Sequence, residues 1–316
     1  MKTNRPITRR QSLKRIARMS AGFAGAALGI SPFLPGKPAK ASTDAKKFLV
    51  EGVGTQENYD VMALTRKVFE AVGGMGRFVS RGDVVVIKPN VSWARYPDMA
   101  ATTNPEVMEA VIRLCLEAGA KKVRIADNTI HDARRCFALT GVGAVAKKTG
   151  ADLVYPRPSL MKDMKLHGHR LDVWPVFVPL VEADKVLSLP IAKVHGLSTL
   201  TLGMKNWIGG VGGRRSALHQ DIHQSIVDLA QFFNPTVTLI DATRIMITNG
   251  PSGGSPSDVA IRNTLILSDD PVAGDAKAAA GLFGLVPSEV GFIQLGEKWG
   301  LGTYDLEKIA TQRVVL

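Results

Sequence analysis

Cysteine is scarce in this chain of 316 residues, which contains only Cys115 and Cys136. An iron–sulfur cluster held by thiolates usually takes four cysteines, so two exclude such a cofactor within one chain. Both residues fall at apolar positions of predicted helices, where buried free cysteine is common. The sequence leaves open whether the two thiols pair.

Acidic residues are absent from the first 41 positions, which hold nine lysines and arginines. The pair Arg9-Arg10 precedes an apolar stretch over residues 21–30, and Ala39-Lys40-Ala41 follows it. A basic segment, an apolar run and a small-x-small site in this order predict a twin-arginine signal peptide over residues 1–41. A mitochondrial transit peptide and a basic nucleic-acid-binding arm are the alternatives. The signal predicts the twin-arginine translocase as a partner and a mature protein in the periplasm or elsewhere beyond the cytoplasmic membrane.

Long hydrophobic runs are also missing. A membrane-spanning helix takes about 20 apolar residues, and neither residues 21–30 nor any later segment provides them. Without residues 1–41, 31 basic residues face 28 acidic ones, a net charge of +3 instead of +12. Nucleic-acid binding depends on many phosphate contacts from a basic surface. The mature chain is therefore predicted neither to span a membrane nor to bind nucleic acid.

Strand and helix patterns alternate after Ser42. The continuous apolar run over residues 83–87 is typical of a buried parallel strand. Asn104 and Pro105 together mark the start of a helix. Helices are also predicted over residues 58–72, 133–148, 218–233 and 271–283. This alternation predicts an α/β fold, a mostly parallel or mixed sheet flanked by helices. Residues 42–316 are predicted to form one α/β domain, with a second lobe from about residue 200 as the alternative.

Ligands in open α/β sheets bind beyond the carboxyl ends of the strands. Five predicted strands are followed there by charged or amide residues: Lys88 and Asn90, Asp127, Lys193 and His195, Asp241, and Asp269 and Asp270. Turns and helix caps account for many such Asp and Asn residues. Lysine is not a preferred turn residue, so Lys88 and Lys193 indicate a ligand site.

The densest polar segment covers residues 193–223 and includes glycines 209, 210, 212 and 213. Glycine-rich turns let backbone N–H groups approach an anion. The segment is not a phosphate-binding loop, which requires Gly-Lys-Ser/Thr after four spacers. A flexible surface lid is the alternative. The predicted ligand-binding residues come from this segment, from the neighbouring strand ends and from a second loop that contains Asn249. They are Lys88, Asn90, Lys193, Lys205, Asn206, Arg214, Asp241 and Asn249.

His219 and His223 are four residues apart in a predicted helix and would share one face. With His195 and a carboxylate from Asp127 or Asp241, they would complete the ligand set of a divalent metal. Two solvated or capping histidines are the alternative.

Several of these segments resemble the uncharacterised family called domain of unknown function 362. The resemblance covers about Phe48 to Phe283 and lies in residues 86–90, 189–196, 203–206, 249–251 and 270–275. It implies one α/β unit whose Lys-Pro-Asn, Lys-x-His-Gly and Lys-Asn segments form one site. Some members carry ferredoxin-like cysteine clusters, which this chain lacks. The family has no settled activity to transfer.

Two functions fit these features. In the first, the protein is an exported enzyme acting on a small anionic substrate, with or without a metal. His195 is then the general acid and base, because its ordinary pKa lies near neutrality, and Asp127 orients it. In the second, the protein is a non-catalytic ligand-binding or maturation factor for an exported redox complex.

Overall fold

The computed structural model describes residues 47–316, so the predicted signal peptide of residues 1–41 lies outside the described residues. The strands of this part are β1 (Phe48–Val53), β2 (Val84–Pro89), β3 (Lys122–Ala126), β4 (Asp152–Val154), β5 (Met161–Lys165), β6 (Val173–Phe177), β7 (Lys185–Leu189), β8 (Ile191–His195), β9 (Thr199–Thr201), β10 (Val237–Met246), β11 (Val259–Ser268) and β12 (Ala310–Val315). The α-helices are α1 (Val61–Glu70), α2 (Pro105–Glu117), α3 (Ala133–Leu139), α4 (Val142–Thr149), α5 (Pro179–Glu182), α6 (Ile222–Phe233), α7 (Pro271–Phe283) and α8 (Gly291–Lys298).

One mixed sheet organises the described residues. Its strand order is β12-β1-β11-β10-β7-β2-β3-β4, and β8 and β9 attach beside β10 to make ten strands in this part of the chain. Strands β10, β7, β2, β3 and β4 run parallel, whereas β11 is antiparallel to both β10 and β1. The predicted α/β fold is confirmed. Residues on both sides of position 200 contribute to this sheet.

Each face of the sheet packs against its own helices. On one face, α1, α2 and α4 bury side chains such as Leu64 and Val111 against the sheet. On the other, α6, α7 and α8 cover a core that includes Trp207 and Phe233, whose rings stack 4.6 Å apart. Each fully buried large apolar side chain contributes about 1.5–3 kcal/mol relative to exposure.

Local signals explain the element boundaries. Asn104 caps α2 by accepting the backbone N–H of Glu106 at 3.0 Å, as its sequence position predicts. The helix predicted over residues 133–148 is instead divided into α3 and α4, because Gly141 between them has a φ of 79°. Helix α6 begins at Ile222 rather than residue 218, since Asp221 leaves the helical conformation and caps it.

Two further features of the described residues concern membrane-spanning helices and cysteine pairing. Between residues 47 and 316, no helix combines the length and the apolar character needed to cross a membrane. Cys115 in α2 and Cys136 in α3 are both free thiols buried in the core on one face of the sheet.

Candidate functional site

A cavity of about 390 Å³ opens at the carboxyl edge of the parallel strands. Its walls come from the loops after β2, β3 and β10, the β8–β9 hairpin, and two 3₁₀ segments over Met204–Gly210 and Arg215–Asp221. The polar or charged side chains lining it are Asn90, Ser92, Lys193, His195, Thr201, Lys205, Asn206, Arg215 and His219. No aspartate or glutamate of the described residues lines this cavity.

An ion pair between Lys88 and Asp127 lies beneath the cavity. Nζ of Lys88 is 2.7 Å from Oδ1 of Asp127, and both side chains are fully buried. The same ammonium donates to the carbonyl of Pro89 and to Oδ1 of Asn206, each at 2.8 Å. Burial lowers the pKa of Lys88, whereas the charge of Asp127 raises it. Because the ammonium has three acceptors, we describe Lys88 as a charged group that fixes the floor of the cavity.

Asn206 connects that floor to the cavity. Its side-chain amide donates to the carbonyl of Lys88 and to the hydroxyl of Ser188, both at 3.1 Å. Gly209, three residues later, passes so close to the ion pair that a methyl group there would overlap Oδ1 of Asp127 and lie 2.8 Å from Lys88 Nζ. Glycine at position 209 therefore lets the backbone of the 3₁₀ segment close over the buried pair.

Two buried lysines face the cavity without carboxylate partners. Nζ of Lys193 donates to the carbonyls of Ala101 and Pro251, at 2.5 and 2.9 Å. Nζ of Lys205 donates to the hydroxyl of Ser198 at 2.6 Å. Among residues 47–316, no aspartate or glutamate forms an ion pair with either lysine. Burial lowers the pKa of both to about 7, and for Lys193 the charge of Lys205 adds to the effect.

His195 lines the same cavity and is held neutral. Burial, followed by the charges of Lys205 and Lys193, lowers its pKa to about 3. Its Nδ1 accepts the backbone N–H of Leu197 at 3.1 Å, so the proton of the neutral ring is on Nε2. His195 therefore presents a hydrogen-bond donor. This environment argues against its predicted role as the general acid and base, because the ring does not change protonation near neutral pH.

Arg215 supplies the third cationic side chain of the lining. Its guanidinium donates to the carbonyls of Asn128 and Thr129, at 2.7 and 2.6 Å, which fixes it against the loop after β3. Burial lowers its pKa and Asp127 raises it; an arginine side chain stays charged in proteins. The cavity thus combines one permanent cation with two lysines that titrate near neutrality.

Comparison with known proteins identifies the family. A family model described as domain of unknown function (DUF362) matches residues 85–280. The chain belongs to this family. A thylakoid-associated protein of Synechocystis sp. is 29% identical over 250 residues, which cover 72% of this chain and 76% of that relative. The lactate racemase apoprotein from Thermoanaerobacterium thermosaccharolyticum is similar in structure, with a TM-score of 0.46 and 14% identity. That match covers 71% of this chain, which spans about half (54%) of the other.

Four of the five segments that carry the DUF362 resemblance contribute to the cavity lining, and residues 270–275 do not. Of the predicted site residues, Asn90, Lys193, His195, Lys205, Asn206 and His219 line it. Lys88 and Asp127 lie directly below, in contact with Asn206 and Gly209. Because β2, β3 and β7 are parallel, their carboxyl ends bring residues more than 100 positions apart to one place.

Besides Lys88, three predicted ligand-binding residues do not line the cavity. Asp241 accepts the backbone N–H of Asn104 at 2.7 Å and both the N–H and the hydroxyl of Thr243, so its carboxylate anchors the start of α2. Asn249 is exposed and donates to Asp258 at 2.6 Å, which fixes the loop carrying Gly250 and Pro251 into the lining. Arg214 is exposed outside the lining, and its neighbour Arg215 occupies the cavity instead.

The two histidines of the predicted metal pair lie in different elements. His219 lies in the 3₁₀ segment and lines the cavity, whereas His223 lies in α6, and its ring stacks on Phe292 with centroids 6.3 Å apart. The two histidines do not share a helix face because the chain leaves helical geometry at Asp221. Across residues 47–316, no group of three or more His, Cys, Asp or Glu side chains is placed to hold a metal ion.

The strand end at Asp269 and Asp270 lies at the edge of the sheet opposite to the cavity, because β11 is antiparallel to β10.

Sequence reasoning missed three polar residues of the lining: Ser92, Thr201 and Arg215. Thr201 faces Lys193 across the β8–β9 pair, and its buried hydroxyl has no hydrogen-bond partner in the described part of the chain. Two short strands around Gly196 are a readable hairpin pattern, so Thr201 was accessible to sequence analysis. Nothing in the sequence distinguishes Arg215 from Arg214, since their orientations depend on the 3₁₀ backbone.

Proposed function

We propose that the cavity binds a small anionic ligand through a carboxylate or phosphate group. One observation carries the proposal: Lys193, Lys205 and Arg215 line a single cavity to which the described residues contribute no carboxylate. A buried cation without a counter-charge is costly, and a bound anion offsets that cost. Lysine and arginine are also the side chains that bind carboxylate and phosphate most directly.

Further support comes from hydrogen-bond donors and from size. The hydroxyl of Thr201 has no partner among residues 47–316 and the neutral ring of His195 carries a proton on Nε2. Both are donors suited to an oxygen-rich ligand. A volume of about 390 Å³ lies at the lower end of the range of small-molecule sites. The expected ligand is a small organic acid or phosphorylated compound rather than a polymer.

Ligand-dependent thermal stabilisation tests the proposal. Melting temperatures of the full chain would be measured with sulfate, phosphate, acetate and pyruvate, using chloride at equal ionic strength as the reference. We expect a saturable rise with at least one anion, because binding to the folded state alone stabilises it. Lys205→Met should abolish the rise, whereas Lys147→Met should keep it, since Lys147 is exposed on α4. No saturable rise with any anion, or an equal rise in Lys205→Met, would contradict the proposal.

If the site is enzymatic, its proton transfers fall to the lysines. The pKa values of Lys193 and Lys205 are about 7, whereas that of His195 is about 3. A general acid or base works best when its pKa is near the working pH. Within this proposal His195 and Thr201 orient the ligand by hydrogen bonding, and a lysine transfers the proton.

We also propose that the protein acts beyond the cytoplasmic membrane after twin-arginine export. Support comes from the order of Arg9-Arg10, the apolar run and Ala39-Lys40-Ala41. The relative from Synechocystis is called a thylakoid-associated protein, a name that describes the location of that relative. Fusing residues 1–46 to a reporter should export it, and replacing Arg9 and Arg10 by lysines should retain it inside the cell. Export that survives this replacement would contradict the proposal.

A further inference from the structure

Lys205 has a contact set that differs from those of the other buried lysines. Its only hydrogen bond in the described structure joins Nζ to Oγ of Ser198, at 2.6 Å. The Ser198 hydroxyl donates its own proton to the carbonyl of Leu200, at 2.9 Å. Ser198 therefore acts as the acceptor, and Lys205 uses one N–H to bind it. The rest of the Lys205 nitrogen remains available to the cavity.

The other two lysines of the site have more hydrogen-bond acceptors than Lys205 has. Lys88 contacts a carboxylate, an amide oxygen and a backbone carbonyl. Lys193 is held between two backbone carbonyls from separate loops. These acceptors occupy N–H groups of Lys88 and Lys193, although the pKa of Lys193 is also lowered to about 7. Lys205 has a single hydroxyl acceptor and burial that lowers its pKa to about 7, so a large fraction is a free amine at neutral pH.

We propose that Lys205 forms an imine with the carbonyl group of a small 2-oxo acid bound in this cavity. The inference rests on the proposed anion site, because the carboxylate of such a ligand needs the cationic lining. Arg215 and Lys193 are the groups that remain to bind that carboxylate while Lys205 acts as the nucleophile. A lysine amine beside other cations in a partly apolar site is the arrangement that favours this chemistry.

The reaction needs no cofactor. The lone pair of Lys205 Nζ attacks the carbonyl carbon, and the carbonyl π electrons move to oxygen. A proton passes from nitrogen to that oxygen, giving a carbinolamine. The nitrogen lone pair then forms the C=N bond as the hydroxyl leaves, and the remaining proton of the nitrogen passes to that hydroxyl to make water. The products are one imine and one water from one amine and one carbonyl. The Nε2–H of His195 and the hydroxyl of Thr201 are the neutral donors available to the oxygen that leaves.

Reductive trapping tests the imine directly. The full chain would be incubated with pyruvate and sodium cyanoborohydride, whose hydride adds to the imine carbon and leaves a stable secondary amine. Intact mass would count the adducts, and peptide mapping would locate them. We expect one dominant adduct on Lys205, suppressed by excess sulfate. Acetone, a ketone without a carboxylate, should label Lys205 at least tenfold more slowly.

Variants separate this inference from the anion site. Lys205→Arg keeps a cation and should lose the adduct while retaining sulfate stabilisation. Lys147→Arg, at an exposed lysine, should keep the adduct. If sulfate and pyruvate stabilise the protein but mapping finds no adduct on Lys205, the anion site stands and the imine is wrong. Labelling of exposed lysines alone, or equal labelling by acetone and pyruvate, would also overturn the imine.

Discussion

Nζ of Lys88 lies 2.7 Å from Oδ1 of Asp127, and neither side chain is exposed to solvent. The pair joins the ends of β2 and β3 and also supports Asn206 and Gly209 above it. Removing one member leaves the other as a buried charge without compensation. Its main contribution is therefore expected in stability.

Asp127→Asn should lower the free energy of unfolding by about 3–5 kcal/mol, because Lys88 would keep its charge without a counter-ion. Urea denaturation at pH 7 measures this loss. The double variant Lys88→Met, Asp127→Asn should recover part of it, since no buried charge remains. A double variant no more stable than Asp127→Asn alone would contradict this account of the pair.

Gly209→Ala should destabilise the protein by about 1–3 kcal/mol, because the added methyl group overlaps the carboxylate of Asp127. Gly254→Ala is the matched control, since nothing lies within 4 Å of a methyl group at that position. Differential scanning calorimetry compares the two. Equal melting temperatures would show that the 3₁₀ segment shifts freely above the ion pair.

Arg215→Met should weaken anion binding roughly ten- to a hundredfold, which corresponds to a charge-assisted hydrogen bond of about 1.5–3 kcal/mol. Arg214→Met should change affinity less than threefold, because Arg214 is exposed outside the lining. Isothermal titration with sulfate gives both values. The reverse ranking would restore the sequence-based choice of Arg214.

Sulfate affinity should fall as pH rises through about 7, because Lys193 and Lys205 lose their protons there while sulfate stays an anion. Stability of the ligand-free protein should change in the opposite direction. In the unfolded chain these lysines titrate near 10.5. Between pH 7 and 10 the unfolded state therefore binds more protons, so this contribution to stability rises with pH. Lys205→Met should reduce both slopes, as titration calorimetry and urea denaturation across pH 6–9 would reveal.

Asp275→Asn should lower stability by about 1–3 kcal/mol and weaken sulfate binding. The carboxylate of Asp275, on α7, accepts the backbone N–H groups of Gly203 and Met204, at 2.7 and 2.9 Å, directly before Lys205. An amide keeps one acceptor and places a donor against the second N–H. Asp275→Asn with unchanged sulfate affinity would show that Asp275 does not position Lys205.

The fold was predictable where one signal dominated. The continuous apolar run that became β2 and the Asn104 cap of α2 both fixed their elements correctly. The convergence of Lys88 and Asp127 followed from the rule for parallel strand ends. The strand and the helix cap depend on interactions within short segments of the chain, which the sequence displays directly.

Other features depend on pairing and backbone direction, which the sequence does not display. Strand β11 looked like the parallel strands, but it pairs antiparallel with β10 and carries Asp270 to the far edge. His219 and His223 have the spacing of one helix face, yet Asp221 interrupts the helix between them. A charged residue followed by another of the same type, as at Arg214 and Arg215, gives no indication of which one faces inward.

The start of β1 has a practical consequence. Strand β1 is antiparallel to β11, which is itself antiparallel to β10, so Phe48 lies at the amino edge of the sheet. The cavity opens at the carboxyl edge, which is the opposite edge of the sheet. A linker placed before Phe48 would therefore attach the molecule to a sensor chip or resin with the opening of the cavity facing the solution.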